Sequence, residues 1–328
     1  MLARTGAIAS TVVREFEMRK FHGFGLFLVL STPAWPGSPS ADRLAKVLPD
    51  VRVRALSSGA AYAVFETTEP AVVRVVLIDL LDSDVEVKPV VANNLPYGGG
   101  PSARERVVDM AQRTGALAMI NADYAGRVDN IEGFLVLEGK FLPAPKPVRR
   151  SALAIGADRR ARIGLWSDPQ EAGFEMRHAV GGGPRMMYAG KFRWDAPPDG
   201  SINDEDMRVP AGRWDIPHSL SAVCVDQGGR WMTWVVAHAS APARGVGLTP
   251  SRLGEVMSRL SCWDALRFDG GGSSTLVVEG ALVMPMFVQW QGGARLGSGL
   301  GLYHRKRDKE GNQKVAPTVP SKTGRSGQ

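Results

Sequence analysis

The sequence predicts an α+β fold of mixed, largely antiparallel sheets with a few flanking helices. Short apolar runs recur along most of the chain, and tight turns rich in Gly, Asn or Asp often separate them. Two stretches, 102–113 and 249–260, read as helices, each with a helix-start signal. The body contains no window of about 18 apolar residues, so no transmembrane anchor is expected there.

The elements follow in chain order. Arg19 and Lys20 precede an apolar run at 21–30 and the small-x-small triplet Thr32-Pro33-Ala34, the layout of a secretory signal peptide starting at Met18. The expected location is periplasmic or secreted, with cytoplasmic as the alternative. Residues 33–59 are rich in Pro, Ser and Ala and read as a linker, which makes 1–59 an N-terminal segment ahead of the folded domain. Residues 61–65, 72–80 and 85–91 read as strands, and 102–113 as a helix with Ser102 at the N-cap and Glu105 at the capping-box position. A buried strand follows at 116–121, then strands at 133–137, 151–155 and 162–166, and a polar, Pro-rich insertion over 194–217 that reads as a surface loop. Residues 219–226 and 231–237 form a hairpin across Gln227-Gly228-Gly229. Residues 249–260 read as a helix with Thr249 at the N-cap and Pro250 at the first helical position. Strands at 263–268, 274–278 and 300–303 complete a domain over 60–304.

Composition narrows the partners. The chain has 328 residues, 40 Lys+Arg against 33 Asp+Glu and a formal charge of +7. The excess sits at the ends: 1–20 and 304–328 carry it, while 21–303 balances at 29 residues of each sign. Residues 305–328 lack aromatics and large aliphatics and are expected to form a disordered basic tail. A nucleic-acid partner would call for a basic, aromatic-studded face in the folded part, so none is expected. Nothing requires a cofactor. With two cysteines and no HExxH or CxxC pattern there is no zinc signal, and a divalent metal stays undetermined. Cys224 and Cys262 lie in or beside apolar stretches and read as buried thiols, or as a pair if the chain is exported.

Candidate chemistry gathers in three segments. Asp269-Gly270-Gly271-Gly272-Ser273-Ser274 follows a buried strand, so a carboxylate sits at a strand end beside backbone amides that could cradle an anion, with two hydroxyls as further donors. The alternative is a Gly-rich hairpin turn. A second cluster, Gly181-Gly182-Gly183-Pro184-Arg185, would let backbone or Arg185 approach the same ligand. Asn121 and Asp123 lie where a buried strand emerges into a loop, at cleft-lining or capping positions. There is no Walker A loop and no Gly-x-Ser-x-Gly elbow, which disfavours a serine hydrolase.

In series these segments resemble the phosphodiester glycosidase family over about 60–304. Asn121-Ala122-Asp123-Tyr124, the Gly133 to Gly139 turn region, Gly182-Gly183-Pro184, Gly247-Leu248-Thr249 and Asp269 to Thr275 carry the resemblance. It implies hydrolysis of a sugar-1-phosphodiester, in envelope or exopolysaccharide metabolism. Asp269 would be base or nucleophile, and Asn121 and Asp123 would orient sugar hydroxyls or water, Asp123 sharing the base role. Gly270, Gly271, Gly272, Ser273, Ser274, Gly182, Gly183, His218, His238 and Arg244 would bind substrate. Two positions depart: His218 stands where the family has Arg, and His238-Ala239 where it has Asp-Gly. A His is charged only near or below a pKa of about 6.5, so the departures imply a different anion, an acid-shifted activity, or a glycan-binding envelope protein of the same fold that has lost turnover.

Overall fold

One apolar centre is shared by three sheets, in a computed structural model that describes residues 37–193, 202–207, 215–241, 245–284 and 293–305. The largest sheet runs, edge to edge, Val53–Ser57, Ala60–Glu66, Ala71–Asp79, Trp231–Ala239, Leu220–Val225, Asp264–Arg267, Arg185–Tyr188 and Lys191–Phe192. A second runs Ala161–Gly164, Ala152–Gly156, Met176–Gly181, Leu135–Leu137 and Lys140–Phe141. A third runs Ala281–Leu282, Leu276–Val278, Ala118–Asn121, Ser298–His304 and Val85–Val91. Strand pairing is antiparallel in all three. The fold is α+β.

Side-chain alternation sets the layers. In Ala71–Asp79, Val76 and Ile78 face the shared centre, whereas Val73, Val75 and Leu77 face the opposite side. That opposite side is covered by Leu44 of helix α1 (Pro39–Val47) and by Leu253 and Met257 of α3 (Pro250–Arg259). Both faces being covered, Trp231–Ala239 is buried almost continuously, which is why it reads as an unbroken apolar run. In the centre, Trp234, Leu266 and Phe268 of the large sheet meet Leu153 and Val180 of the second and Ile120 and Leu300 of the third. Each such burial contributes about 1.5–3 kcal/mol relative to exposure. Helix α2 (Val107–Thr114) sets Met110 and Ala111 against Met119 and Val277 on the outer face of the third sheet.

Three sequence expectations are corrected, and the choice left open for the two cysteines is decided. The supposed linker at 33–59 contains α1 and the strand Val53–Ser57; Ser38 caps the helix, with its Oγ accepting from Ala41 N, and Pro39 opens it. Ser-Pro is therefore a helix start here. Helix α2 begins at Val107, five residues beyond Ser102, because Glu105 is taken by Arg113 at 2.7 Å and by Asn93 N at 2.9 Å and serves no capping box. The insertion at 194–217 is not all surface: Ile202 and Glu205 are each 1% exposed. Cys224 and Cys262 form a disulfide joining a central strand of the large sheet to the chain just after α3. The helix at 249–260 keeps its predicted cap, Thr249 Oγ1 accepting from Arg252 N at 3.1 Å. Residues 1–36 and 306–328 lie outside the described residues, and with them the signal-peptide segment and nearly all of the tail.

Candidate active site

Three strands, one from each sheet, end at the same place. Ala118–Asn121 delivers Asn121, Met176–Gly181 delivers the glycines at 181–183, and Asp264–Arg267 delivers Arg267 and Asp269. Backbone bonds stitch these ends together. Asp269 N donates to Ala122 O at 3.1 Å, Gly183 N to Arg267 O at 2.8 Å and Phe268 N to Ser221 O at 2.8 Å. Gly182 has to be glycine, since a Cβ there would lie 2.7 Å from Arg267 O.

Asn121 is fully buried and its amide is committed to the protein. Nδ2 donates to Asp269 O at 2.7 Å, while Oδ1 accepts from Ser221 Oγ at 2.8 Å and Thr275 N at 3.0 Å. It clamps both ends of the glycine loop and does not reach a sugar, contrary to expectation. Asp123 is also sealed, at 3% exposure. Its Oδ1 accepts from Tyr124 N at 2.8 Å and its Oδ2 from Gly133 N at 2.7 Å. The carboxylate lies in a slot between two backbones: a Cβ on Gly133 or on Gly181 would each come 2.9 Å from Oδ2. Desolvation pushes its pKa up to about 6 against the pull of Arg150 and the two amides. Asp123 is placed as a structural strut, and its burial does not support the shared base role expected of it.

Asp269 differs. It is half-buried, and its carboxylate accepts from the Ser273 hydroxyl and Gly270 N–H with Arg267 and Arg150 nearby. Burial still raises its pKa. The loop does not offer the expected cradle of open amides: Gly271 N donates to Ser219 O, Ser273 N to Gly270 O, Ser274 N to Gly271 O and Thr275 N to Asn121 Oδ1. Only Ser273 of the two predicted hydroxyls serves Asp269; Ser274 is 1% exposed. Gly271 is in the left-handed region at φ 60 and Gly272 is exposed, so the loop turns tightly and presents its tip. Gly183, also buried, keeps clear of Glu205, whose Oε2 a Cβ would approach to 2.7 Å.

The two predicted histidines are neutral. His238, 1% exposed, lies between Arg74 Nη1 at 3.3 Å from Nδ1 and Ser274 O at 2.9 Å from Nε2. Arg can only donate and a carbonyl only accept, so Nδ1 is bare and Nε2 carries the proton. Desolvation takes its pKa down to about 4. It supports the loop from beneath and does not meet substrate. His218 Nδ1 is 2.6 Å from Ile216 O and Nε2 is 2.8 Å from Arg267 Nη2, which by the same reasoning fixes the Nδ1–H tautomer. Burial and Arg267 lower its pKa, so it does not supply the acid-range positive charge expected of it. Arg244 lies outside the described residues.

Four further residues, none given a role from the sequence although Arg267 and Tyr124 lie in the segments singled out there, meet at the site. Arg267 brings a guanidinium beside His218. Arg150, 5% exposed, bonds Glu132 Oε2 at 2.7 Å and lies 4.7 Å over the Tyr124 ring. Tyr124 OH donates to Gly183 O at 3.1 Å. Glu205 accepts from Arg185 N, Ser151 N and Ser151 Oγ at 2.7 to 2.9 Å, binding the insertion to the site's floor. Arg185 itself pairs with Asp264 at 2.7 Å and does not approach the loop. Glu86, Glu138 and His178 bring potential metal-ligand atoms within 4.8 Å of one another. Arg177 and Lys88 already lie against those carboxylates, and Glu138 N donates to His178 Nδ1 at 3.4 Å. That donation leaves the proton on Nε2, which disfavours ligation there.

Antiparallel sheets whose ends converge on a carboxylate-bearing glycine loop define a phosphodiester glycosidase-like fold. The family model for phosphodiester glycosidase matches residues 114–303, and the chain belongs to that family. Among solved structures, a hypothetical protein from Synechocystis aligns with a TM-score of 0.62 at 14% identity, over 78% of this chain and 64% of that one. The zebrafish N-acetylglucosamine-1-phosphodiester alpha-N-acetylglucosaminidase catalytic domain, auto-inhibited by its pro-peptide, aligns with a TM-score of 0.57 at 17% identity, over 78% and 88%. No curated protein matches the chain.

Proposed function

We propose that the protein is an exported hydrolase that cleaves a sugar-1-phosphodiester in an envelope or exopolysaccharide glycan. One observation carries the reading: Asp269, a partly buried carboxylate with a raised pKa, feels the positive charge of Arg267, whose guanidinium lies against Gly270, and of Arg150. A base or nucleophile and a seat for negative charge therefore adjoin. The likeness to a zebrafish enzyme named for a 1-phosphodiester substrate supports the substrate class, and the segment at 18–34 supports export.

The chemistry follows from where charge develops. The bond between the anomeric carbon and the phosphate oxygen breaks, and its electron pair leaves with the phosphate ester. A water oxygen forms the new bond while its proton passes to Asp269, or Asp269 first forms a glycosyl ester that water then hydrolyses. The phosphate leaving group carries its charge to fixed donors, and one well-placed donor is worth about 3–4 kcal/mol in such a site. No second carboxylic acid is then needed at the leaving group, which accords with Asp123 being sealed away.

The test is a screen of sugar-1-phosphodiesters across pH, with and without chelator, reading released sugar and its anomeric configuration. Retention indicates the glycosyl ester and inversion the direct attack by water. Tight binding of these compounds with no product from any would sink the enzyme and leave a glycan-binding protein.

A further inference from the structure

We propose that Arg267 is the residue that grips the substrate's anion, and that neutral His218 is the positioning residue that aims it. This rests on the phosphodiester reading for the identity of the anion, though not for the existence of the anion site.

The arrangement is built from both sides. His218 is held by its own backbone: its N donates to Leu248 O at 3.0 Å and its O accepts from Leu248 N at 3.2 Å. Gly247, at φ 124, is forced to be glycine because a Cβ there would lie 2.5 Å from His218 O. The ring is pinned at Nδ1 by Ile216 O, which leaves the Nε2 lone pair to accept from Arg267 Nη2. On the other side, Arg267 lies against the residue that follows Asp269: a Cβ on Gly270 would come 2.9 Å from Arg267 Nη2 and 3.6 Å from His218 Cδ2. The glycine next to the candidate base is thus the gap through which the guanidinium reaches the site. Arg267 also acts electrostatically on both Asp269 and Tyr124. Arg150 is the second cation acting on Asp269, but it is 5% exposed and lies behind the Tyr124 ring.

Among the described residues, the charged and titratable groups acting on His218 are Arg267 from the large sheet and Asp215 from its own segment. The Gly247-Leu248 turn and Gly270 bring no titratable side chain. Protonating Nε2 would set N–H against N–H and release Arg267. Anion affinity therefore falls on acidification, the reverse of a site in which His218 itself binds phosphate.

The test is the affinity of the full-length protein for inorganic phosphate, by calorimetry across pH, with circular dichroism on every variant. Arg267→Gln is expected to weaken binding roughly tenfold or more, as expected for loss of a charge-assisted contact. His218→Gln, which keeps an acceptor for Arg267, should retain most of the affinity at neutral pH and show a shallower acid-side decline than the wild type, leaving only the part due to protonation of phosphate itself. His218→Arg alone should weaken binding by setting two guanidinium groups together, and His218→Arg combined with Arg267→Gln should restore it. Folded Arg267→Gln protein that binds phosphate like the wild type, a wild type that binds none, or a tighter His218→Arg single variant would each overturn the inference. Phosphate binding with these dependencies but no phosphodiester turnover would overturn the proposed function alone. Turnover with phosphate binding indifferent to Arg267 would overturn this inference alone.

Discussion

Asp123 and Asp269 carry the same carboxyl group, each just past the end of a central strand, yet the fold assigns them opposite work. Asp123 fills a slot between Gly133 and Gly181 and spends both oxygens on backbone amides. Asp269 rests on a loop clamped by Asn121, is only partly buried and feels the charge of Arg267. Desolvation raises the pKa of both, so a shifted pKa does not mark the reactive one. Access does.

The sharpest way to break this comparison is to neutralise each carboxyl in turn. Asp269→Asn should cut phosphodiester hydrolysis by at least about a thousandfold with little change in thermal stability, read by steady-state turnover and calorimetry. Equal turnover in the variant would remove Asp269 from the chemistry. Gly181→Ala should do the opposite: its Cβ meets Asp123 Oδ2 at 2.9 Å and Gly133 Cα at 3.0 Å, so folding stability in urea should drop by about 1–3 kcal/mol. Asp123→Asn should cost a similar amount, about 1–3 kcal/mol, because its NH2 would face an amide that now donates to Oδ2.

The smallest effect is a pair of opposed pH slopes. Between 3.8 and about 6 the folded protein binds more protons at Asp123 than the unfolded chain does, so this group lowers stability as pH rises through that window. Between about 4 and 6.5 the folded protein binds fewer protons at His238, so that group raises stability with pH. Asp123→Asn should therefore steepen the rise in stability over the acid range, and His238→Gln should flatten or invert it. Denaturation midpoints against pH check both, and unchanged profiles would contradict the two pKa directions.

Legibility followed the range of the interactions. The strand Val85–Val91 and the Thr249 cap of α3 were readable because periodicity and capping act over a few residues. The Ser38-Pro39 start of α1 was readable in principle, and the surrounding Pro, Ser and Ala concealed it. The start of α2 was not readable, since Glu105 is claimed by partners that only folding brings near. Glu205, in a stretch of polar composition, is held by Ser151, just ahead of a strand of the second sheet, and by Arg185 of the large sheet.

Local patterns in the chain set the excess of strands over helices, the place of Asp269 on a glycine turn at a strand end, and the glycines crowded around it. Apolar alternation and backbone sterics are written locally in the chain. Packing in three dimensions set the rest: Asn121 clamps the loop, Asp123 is sealed, both histidines are neutral and Arg267 holds the place beside His218. Protonation and access depend on what water is excluded and which donor faces which acceptor. Those relations join residues about 50 to 150 positions apart, as in His218 with Arg267 and Asn121 with Thr275.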